Sequence, residues 1–192
     1  MKIKDVLLEA PDDIKAATYV NNNVDDKTIG AALRETQESF LIRIIGTNLY
    51  RRLQELVFNA IEGLDDNIDS EDNASYKELL DEYVQPYLEA KVQAVMPVPI
   101  TYKTRNLGLT KASDDNVQTA NIDDIAFVQR RYNTIADQRA TNLSFYLCNN
   151  KDNFPELAMG DCHCGLFYPP LLGKRFSNTP LWLGSVKNKR NC

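Results

Sequence analysis

Two cysteines flank the only histidine of the chain in the sequence Cys162-His163-Cys164. Thiolate and imidazole groups are the ligands that zinc prefers, which makes this segment a candidate for a structural zinc site. The spacing is unfavourable, because one residue separates the cysteines, whereas zinc-binding pairs usually have at least two between them. Cys148 and Cys192 lie far away in the sequence. The segment is therefore a weak zinc candidate, and the sequence predicts no resident metal or cofactor.

Other arrangements of catalytic residues are missing from the sequence. Adjacent Cys and His side chains on an extended segment point to opposite faces, which disfavours a Cys–His nucleophilic pair. No glycine-rich phosphate loop, Gly-x-Ser-x-Gly, His-Glu-x-x-His or Cys-x-x-Cys motif occurs. A chain with one histidine also has few ways to build a general acid–base pair. We therefore predict that the protein is not an enzyme.

Acidic residues cluster in the segment Leu64-Asp-Asp-Asn-Ile-Asp-Ser-Glu-Asp-Asn73. Its five carboxylates could in principle bind calcium. The Asp-x-Asp-x-Asp-Gly spacing with a terminal glutamate is missing, however. The segment therefore predicts an exposed, mobile loop rather than a calcium site.

The net charge of −5 hides an uneven distribution along the chain. Residues 149–192 carry six basic and three acidic side chains, a net +3, which leaves −8 for residues 1–148. The acidic total excludes a surface that wraps a phosphate backbone. No apolar run approaches the roughly 20 residues of a membrane span. Asp5 and Glu9 interrupt the place where a secretory signal has its apolar stretch, so we expect neither membrane insertion nor secretion by that route.

The length of 192 residues fits one domain, and apolar periodicity predicts that four main helices build it. The first helix spans 26–45, with Asp25 or Asp26 as its N-cap and Gly46 in a left-handed conformation at its end. Apolar residues at spacings of three, four and seven mark its buried face. They are Ile29, Leu33, Phe40, Leu41, Ile44 and Ile45.

The second and third helices follow with their own start and stop signals. The second spans 48–62, with Thr47 as its cap and Gly63 as its end, and buries Leu49, Leu53, Leu56, Val57 and Ile61. The third opens with the capping-box sequence Ser75-Tyr-Lys-Glu78, and Pro86 in its middle is expected to kink it. Core packing is the expected role of its three tyrosines, rather than stacking on nucleobases: Tyr76, Tyr83 and Tyr87.

A non-helical insertion is predicted at about residues 98–120. Met96-Pro-Val-Pro99 ends the third helix, and β-branched residues flank Asn106 to Gly108, which is typical of a β-hairpin or extended excursion. The fourth helix then spans 121–148. Its apolar face includes Arg139, which predicts a carboxylate partner. The fold is therefore mainly α, a four-helix-type bundle over residues 1–148 with a small hairpin.

Residues 149–192 have the composition of an irregular arm. They hold four of the eight prolines and four of the eight glycines, which excludes helix over most of the segment. They also hold large apolar side chains that need cover, either on the arm's own body or on neighbouring subunits. From the hairpin and the arm we expect these partner-interface residues: Tyr102, Arg105, Leu107, Phe167, Tyr168, Arg175, Phe176 and Trp182.

Three segments carry a further pattern by their order and spacing. They are residues 35–53, with the helix break Ile-Gly-x-x-Leu-Tyr, residues 76–88, with x-Val-x-Pro-x-Leu, and Asn106-Leu-Gly-Leu109 before a long final helix. Together they resemble the helical head-tail connector proteins of tailed bacteriophages, most closely the ring protein of crass-like phages that infect gut Bacteroidales. The resemblance covers roughly residues 24–148.

The resemblance implies a subunit that assembles with copies of itself as a ring, commonly twelvefold, beneath the portal protein. Such a ring joins the portal to neighbouring tail or ring proteins and lines the channel through which phage DNA passes without sequence-specific binding. It implies a virion protein made in the cytoplasm of the bacterial host. Nothing in the family pattern is catalytic, and no membrane is involved.

Other interpretations of the sequence stay open. The chain could be a tail-proximal ring or stopper of the same particle. It could also be a small helical regulatory protein that binds nucleic acid through Lys187-Asn-Lys-Arg190, or a zinc protein built on Cys162 and Cys164.

Overall fold

Helices dominate the computed structural model, which describes residues 2–105, 108–111 and 122–157. The α-helices are α1 (Pro11–Ala17), α2 (Asp26–Thr36), α3 (Ile42–Ile45), α4 (Thr47–Glu62), α5 (Ala74–Leu79), α6 (Gln85–Val95), α7 (Pro97–Thr101) and α8 (Ile122–Asn149). Two π turns, Gln37–Leu41 and Leu80–Val84, join α2 to α3 and α5 to α6. Four 3-10 turns complete the helical structure: Ile3–Asp5, Glu71–Asn73, Lys151–Asn153 and Pro155–Leu157. The prediction of a mainly helical chain is confirmed.

Together with the π turns, these helices form four long helical stretches, residues 26–45, 47–62, 74–95 and 122–149. Their bounds lie within about one residue of those predicted from the sequence. Asp25 is the N-cap of α2, where its side chain accepts a hydrogen bond from the backbone N–H of Lys27. Gly63 ends α4 in the left-handed region, as expected of a C-cap glycine. The prediction for Thr47 is wrong, because Gly46, with φ +80°, occupies the cap position and Thr47 is already the first helical residue.

The start of the third helix also differs from its prediction. The helix begins at Ala74, so Ser75 lies inside it and forms no capping box. The residue before it, Asn73, is buried and donates its side-chain amide to Asp66 Oδ1 and to the Asn67 carbonyl oxygen, at 2.9 and 2.8 Å. The expected disturbance at Pro86 takes the form of the π turn directly before α6, where proline contributes no backbone donor.

The acidic loop is attached to α4 through one of its own carboxylates. Arg52 donates two hydrogen bonds to Asp66, at 3.2 and 3.3 Å, and Asn59 donates to the Asp66 carbonyl oxygen. The hydrogen bonds from Asn73 and Arg52 hold the pKa of Asp66 below its usual value. Within the loop, the side chain of Ile68 is buried. The carboxylates of the loop are exposed, but hydrogen bonds attach the loop to the helices.

The core is organised around the pair α6 and α8, the most extensive helix contact among the described elements. Arg139 of α8 donates to Glu89 Oε2 at 3.0 Å and to the carbonyl oxygen of Pro86, both in α6. This confirms the predicted carboxylate partner. Most predicted core positions are fully buried, but Ile61 is 59% exposed and its assignment to the core was wrong.

Two glutamines hold an N-terminal segment that the sequence pattern did not predict. Gln37 accepts a hydrogen bond from the backbone N–H of Leu8 at 2.9 Å and donates to Tyr50 Oη at 3.1 Å. Gln54 donates to the Val6 carbonyl oxygen at 3.2 Å. Because buried amides need such partners, these bonds fix residues 6–8 against the helices.

The body continues past the boundary at residues 148/149 that composition predicts. Phe154 has no exposed surface and packs against Tyr76 edge-on, with ring centroids 5.3 Å apart. Tyr76 also donates a hydrogen bond to Glu156. The described 3-10 turns of residues 151–157 are therefore packed on the helical body through Phe154.

The predicted insertion begins later than residue 98. After Met96 the chain forms the short helix α7, and only then the strands β1 (Tyr102–Arg105) and β2 (Gly108–Lys111). The strands pair antiparallel, with Tyr102 opposite Lys111 and Arg105 opposite Gly108. Their backbone starts directly from α7, which packs against both α6 and α8.

Replacing Phe154 by alanine tests whether residues 150–157 belong to the core. We expect Phe154→Ala to lower the free energy of unfolding by about 3–5 kcal/mol, because a fully buried aromatic side chain leaves a cavity. The matched control is Phe145→Ala on α8, where the ring is largely exposed and the expected loss is under about 1 kcal/mol. Urea unfolding of both variants is the measurement, and equal losses would contradict the assignment.

Glu9 is a carboxyl group inside the core. It is 5% exposed, and its Oε2 has no hydrogen-bond partner among the described residues. Burial raises its pKa to about 8, and the nearby carboxylates of Glu89 and Asp13 add to the shift. Glu9 is therefore neutral in the folded protein at pH values where an unfolded chain would ionise it.

This raised pKa predicts a stability that falls as pH rises from about 4.5 to about 8, because the folded state binds the extra proton. Glu9→Gln removes that proton uptake, so we expect the variant to exceed the parent by about 1–3 kcal/mol at pH 8 and by little near pH 4.5. Thermal unfolding across this range is the measurement, with Glu35→Gln, an exposed carboxylate of α2, as control. Parallel curves for parent and Glu9→Gln would refute the prediction.

Candidate interaction surface

An apolar groove of about 340 Å³ opens at the end of the body from which the β-strands start. This volume is at the lower end of the roughly 300–1,000 Å³ of concave binding sites. Its walls come from the α1–α2 connection, the end of α6, the start of α7 and the first half of α8. The residues that line it are Tyr19, Val20, Asn21, Val24, Gln93, Met96, Pro97, Ile100, Val128 and Tyr132.

The wall from the α1–α2 connection is fixed by local hydrogen bonds. Thr18 donates from its hydroxyl to the Ile14 carbonyl oxygen at 2.5 Å, and the same hydroxyl accepts from the backbone N–H of Val20 at 3.2 Å. Asn21 accepts from the backbone N–H of Asn23 at 2.9 Å. Tyr19 stands between these bonded residues and is 92% exposed. Its ring therefore projects into solvent at the rim.

The floor and far wall of the groove follow from the proline sequence after α6. Met96 is buried and its backbone N–H bonds back to Val92, so α6 is complete before Pro97 begins α7. The single turn and a half of α7 leaves Val98 and Ile100 exposed. A helix of five residues is too short to form an apolar face that packing could bury completely.

One polar atom of a residue that lines the groove lacks a partner. Gln93 donates its amide to the Glu89 carbonyl oxygen at 3.3 Å, but its Oε1 is buried without a hydrogen bond among the described residues. Because this oxygen has almost no accessible surface, it lies behind the wall of the groove. The groove itself therefore presents mainly apolar side chains to an occupant.

Helix α8 presents two exposed aromatic rings, Phe127 and Phe145, each 64% exposed. Eighteen residues separate them, which is five turns and about 27 Å of helix. They therefore lie on the same face of α8, one near the groove and one near the packed turn of Phe154. The exposed positions between them on this face are polar, among them Arg131 and Gln138.

The structure describes few of the interface residues predicted from the sequence. Tyr102 and Arg105 lie in β1, with backbone described but not side chains. The remaining predicted residues lie outside the described part of the chain: Leu107, Cys162, His163, Cys164, Phe167, Tyr168, Arg175, Phe176 and Trp182. The zinc candidate and the arm interface therefore stay predictions.

The groove itself was missed by sequence reasoning. Helical spacing in the sequence predicts that Val128 and Tyr132 lie on the apolar face of the fourth helix, whereas in the structure Val128 lies at the exposed edge of that face. The available signals were the apolar pair Tyr19-Val20 after a short acidic helix and the apolar residues between Pro97 and Ile100. Their meaning depends on three distant segments meeting, which periodicity within one helix does not reveal.

The described residues hold neither a metal-binding cluster nor a membrane span. Within them, no three His, Cys, Asp or Glu side chains converge in the way that a metal ion needs. None of the described helices combines the length and hydrophobicity for crossing a bilayer.

The rim residues are expected to contribute little to the stability of the isolated subunit. Tyr19→Ser and Val128→Ser each change the free energy of unfolding by under about 0.5 kcal/mol, because both side chains are already in contact with water. Ile14→Ala, at a fully buried position of α1 nearby, costs about 2–5 kcal/mol and serves as the contrast. Dilute samples in thermal or urea unfolding provide the comparison, and a large loss in Tyr19→Ser would show that the rim is part of the core.

Comparison with known proteins gives one match. A family model described as a family of unknown function, DUF6712, matches residues 41–162, which is more than half of the chain. The match begins at the end of the first π turn and includes α3 to α8, and thus the α6, α7 and α8 walls of the groove. No curated protein and no solved structure matches the chain. The chain therefore belongs to DUF6712, a family of unknown function.

Proposed function

We propose that the protein is a structural component of a tailed-phage virion, a ring in the connector that joins the portal to the tail and lines the DNA channel. In this proposal the four helical stretches form a four-helix-type bundle, the β-hairpin is a small excursion, and the C-terminal residues form an irregular arm. The protein has no catalytic role, and its partners are copies of itself, the portal protein and neighbouring tail proteins.

The observation that carries the proposal is the pair of exposed aromatic patches at opposite ends of α8. A closed ring needs a heterologous contact, in which one patch of each subunit meets a different patch of the next. Phe127, beside the groove, and Phe145, about 27 Å away, are two such patches on one helix.

The internal bonding of the subunit supports a role as a spacer. The ion pair of Arg139 with Glu89, and its bond to the Pro86 carbonyl oxygen, fix α8 against α6 between the two patches. Because both patches lie on one bonded helix pair, their separation is set by the fold. Subunits of fixed patch geometry close into rings of a defined copy number.

The charge of the body is consistent with a channel for DNA. Residues 1–148 carry a net charge of −8, and the exposed loop contributes Asp65, Glu71 and Asp72. An acidic wall repels the phosphate backbone, so that DNA slides past it, whereas a basic wall would hold it.

The test is the native mass of the purified full-length chain, with and without the portal protein of the same phage. We expect a ring-sized assembly, about 260 kDa if twelve copies of the 21.8 kDa chain close, either alone or on the portal. Phe127→Glu should abolish assembly, because it places a charge in the apolar contact. Gln138→Glu adds the same charge between the patches on the same face of α8 and should leave the ring intact.

The outcomes separate the competing functions. A monomer that fails to bind portal would rule out the connector proposal. A ring that binds a tail protein but no portal would assign the chain to a tail-proximal ring or stopper. Salt-sensitive DNA affinity of a monomer would instead favour a regulatory nucleic-acid-binding protein.

A further inference from the structure

We infer that the groove of one subunit receives the C-terminal segment of the next copy, with Trp182 as the side chain that enters it. The inference rests on the proposed ring. It names what fills the groove and which part of the chain links neighbouring subunits.

The groove sets the chemistry of what can occupy it. Its walls are mainly apolar, with Ile100, Val128 and Met96 among them. A tryptophan side chain fits such walls, since the indole ring is a large apolar surface with a single polar N–H at its edge. Aromatic anchors of this kind account for much of the binding energy of protein interfaces.

The sequence after Leu157 supplies such a side chain. Residues 158–192 contain the only tryptophan of the chain, in Leu181-Trp182-Leu183, and several other large apolar residues. They also carry five basic side chains and one acidic, a net +4, whereas residues 1–157 carry −9. Opposite net charges steer such a segment towards the body of another copy.

This segment leaves the described body at the end opposite the groove. Leu157 closes the turn that packs on α4, and Phe154 just before it lies beside Tyr146, near the end of α8. The groove is at the other end, eighteen residues and about 27 Å from Tyr146 at Val128. In a head-to-tail contact, this end of one subunit meets the groove end of the next. The 25 residues from 158 to 182 span up to about 80 Å, so they can bridge that contact.

Because Trp182 is the only tryptophan, its fluorescence reports on this segment alone. We expect the emission maximum of the full-length chain to move to shorter wavelength as concentration rises into the range where native mass detects assembly. Val128→Glu should abolish the shift and weaken association at least about tenfold, because it places a charge in the groove. Ile61→Glu, at an exposed apolar position on α4 away from the groove, should keep the shift.

A mixing experiment separates binding within one chain from binding between copies. Trp182→Ala keeps an intact groove and contributes no tryptophan signal, while Val128→Glu keeps an intact C-terminal segment. Adding Trp182→Ala to Val128→Glu should therefore shift the emission of the Val128→Glu chain and produce a one-to-one complex by native mass. Thermal unfolding of each variant alone should match the parent subunit, since in this proposal neither side chain packs in the core of its own subunit.

Each alternative outcome overturns the inference in a distinguishable way. Emission that is already shifted at high dilution, with no response to mixing, would show that the segment binds its own body. Assembly without any shift would show that something else covers the groove, while the ring proposal would stand. Absence of assembly at every concentration, with and without portal, would contradict the ring proposal as well.

Discussion

The contact between Arg139 and the start of α6 is the constraint on which the rest of the structure depends. Pro86 interrupts the third helical stretch, and the π turn before it leaves a point where the helix could bend. Arg139 bonds at this point to the Pro86 carbonyl oxygen and to Glu89. A guanidinium can satisfy both acceptors at once. The helix interruption is therefore the site at which α8 is bonded to α6. This contact sets the position of the groove at one end of α8 and of the Phe154 turn at the other.

The N-terminal segment depends on the same pair through electrostatics. Burial is the main cause of the raised pKa of Glu9, and the carboxylate of Glu89, which is paired with Arg139, adds to it. The polar groups buried with residues 6–9 are therefore neutral. They are the protonated carboxyl group of Glu9 and the side-chain amides of Gln37 and Gln54, which bond to the backbone of Leu8 and Val6. Buried polar groups of this kind specify one arrangement of the chain more than they add to its stability.

The sequence predicts those features that depend on spacing along one helix. The four helical stretches, the Asp25 cap, the end at Gly63 and the need of Arg139 for a carboxylate all follow from local periodicity or chemistry. Prediction from the sequence fails where a residue that is distant along the chain determines the local structure. Asn73, the residue before α5, bonds across the acidic loop, and Ser75 does not cap the helix as its spacing predicts. Phe154 packs between Tyr76 and Tyr146, which the composition of its segment does not reveal. The groove is the extreme case, since none of its walls is a binding site by itself.

The family match covers only part of the groove. Gln93, Pro97 and Val128 lie within residues 41–162, whereas Tyr19 and the wall that it belongs to precede them. The α6 and α8 walls and the start of α7 thus lie within the matched residues, and the α1–α2 connection outside them supplies the remaining wall of the groove. Within that wall, the Thr18 hydroxyl bonds to the backbone of Ile14 and Val20 and so fixes the turn that carries Tyr19. A chain that kept the helix pair but lacked these bonds would present a flat apolar face without a pocket for a single side chain, and its selectivity for a partner would be correspondingly lower.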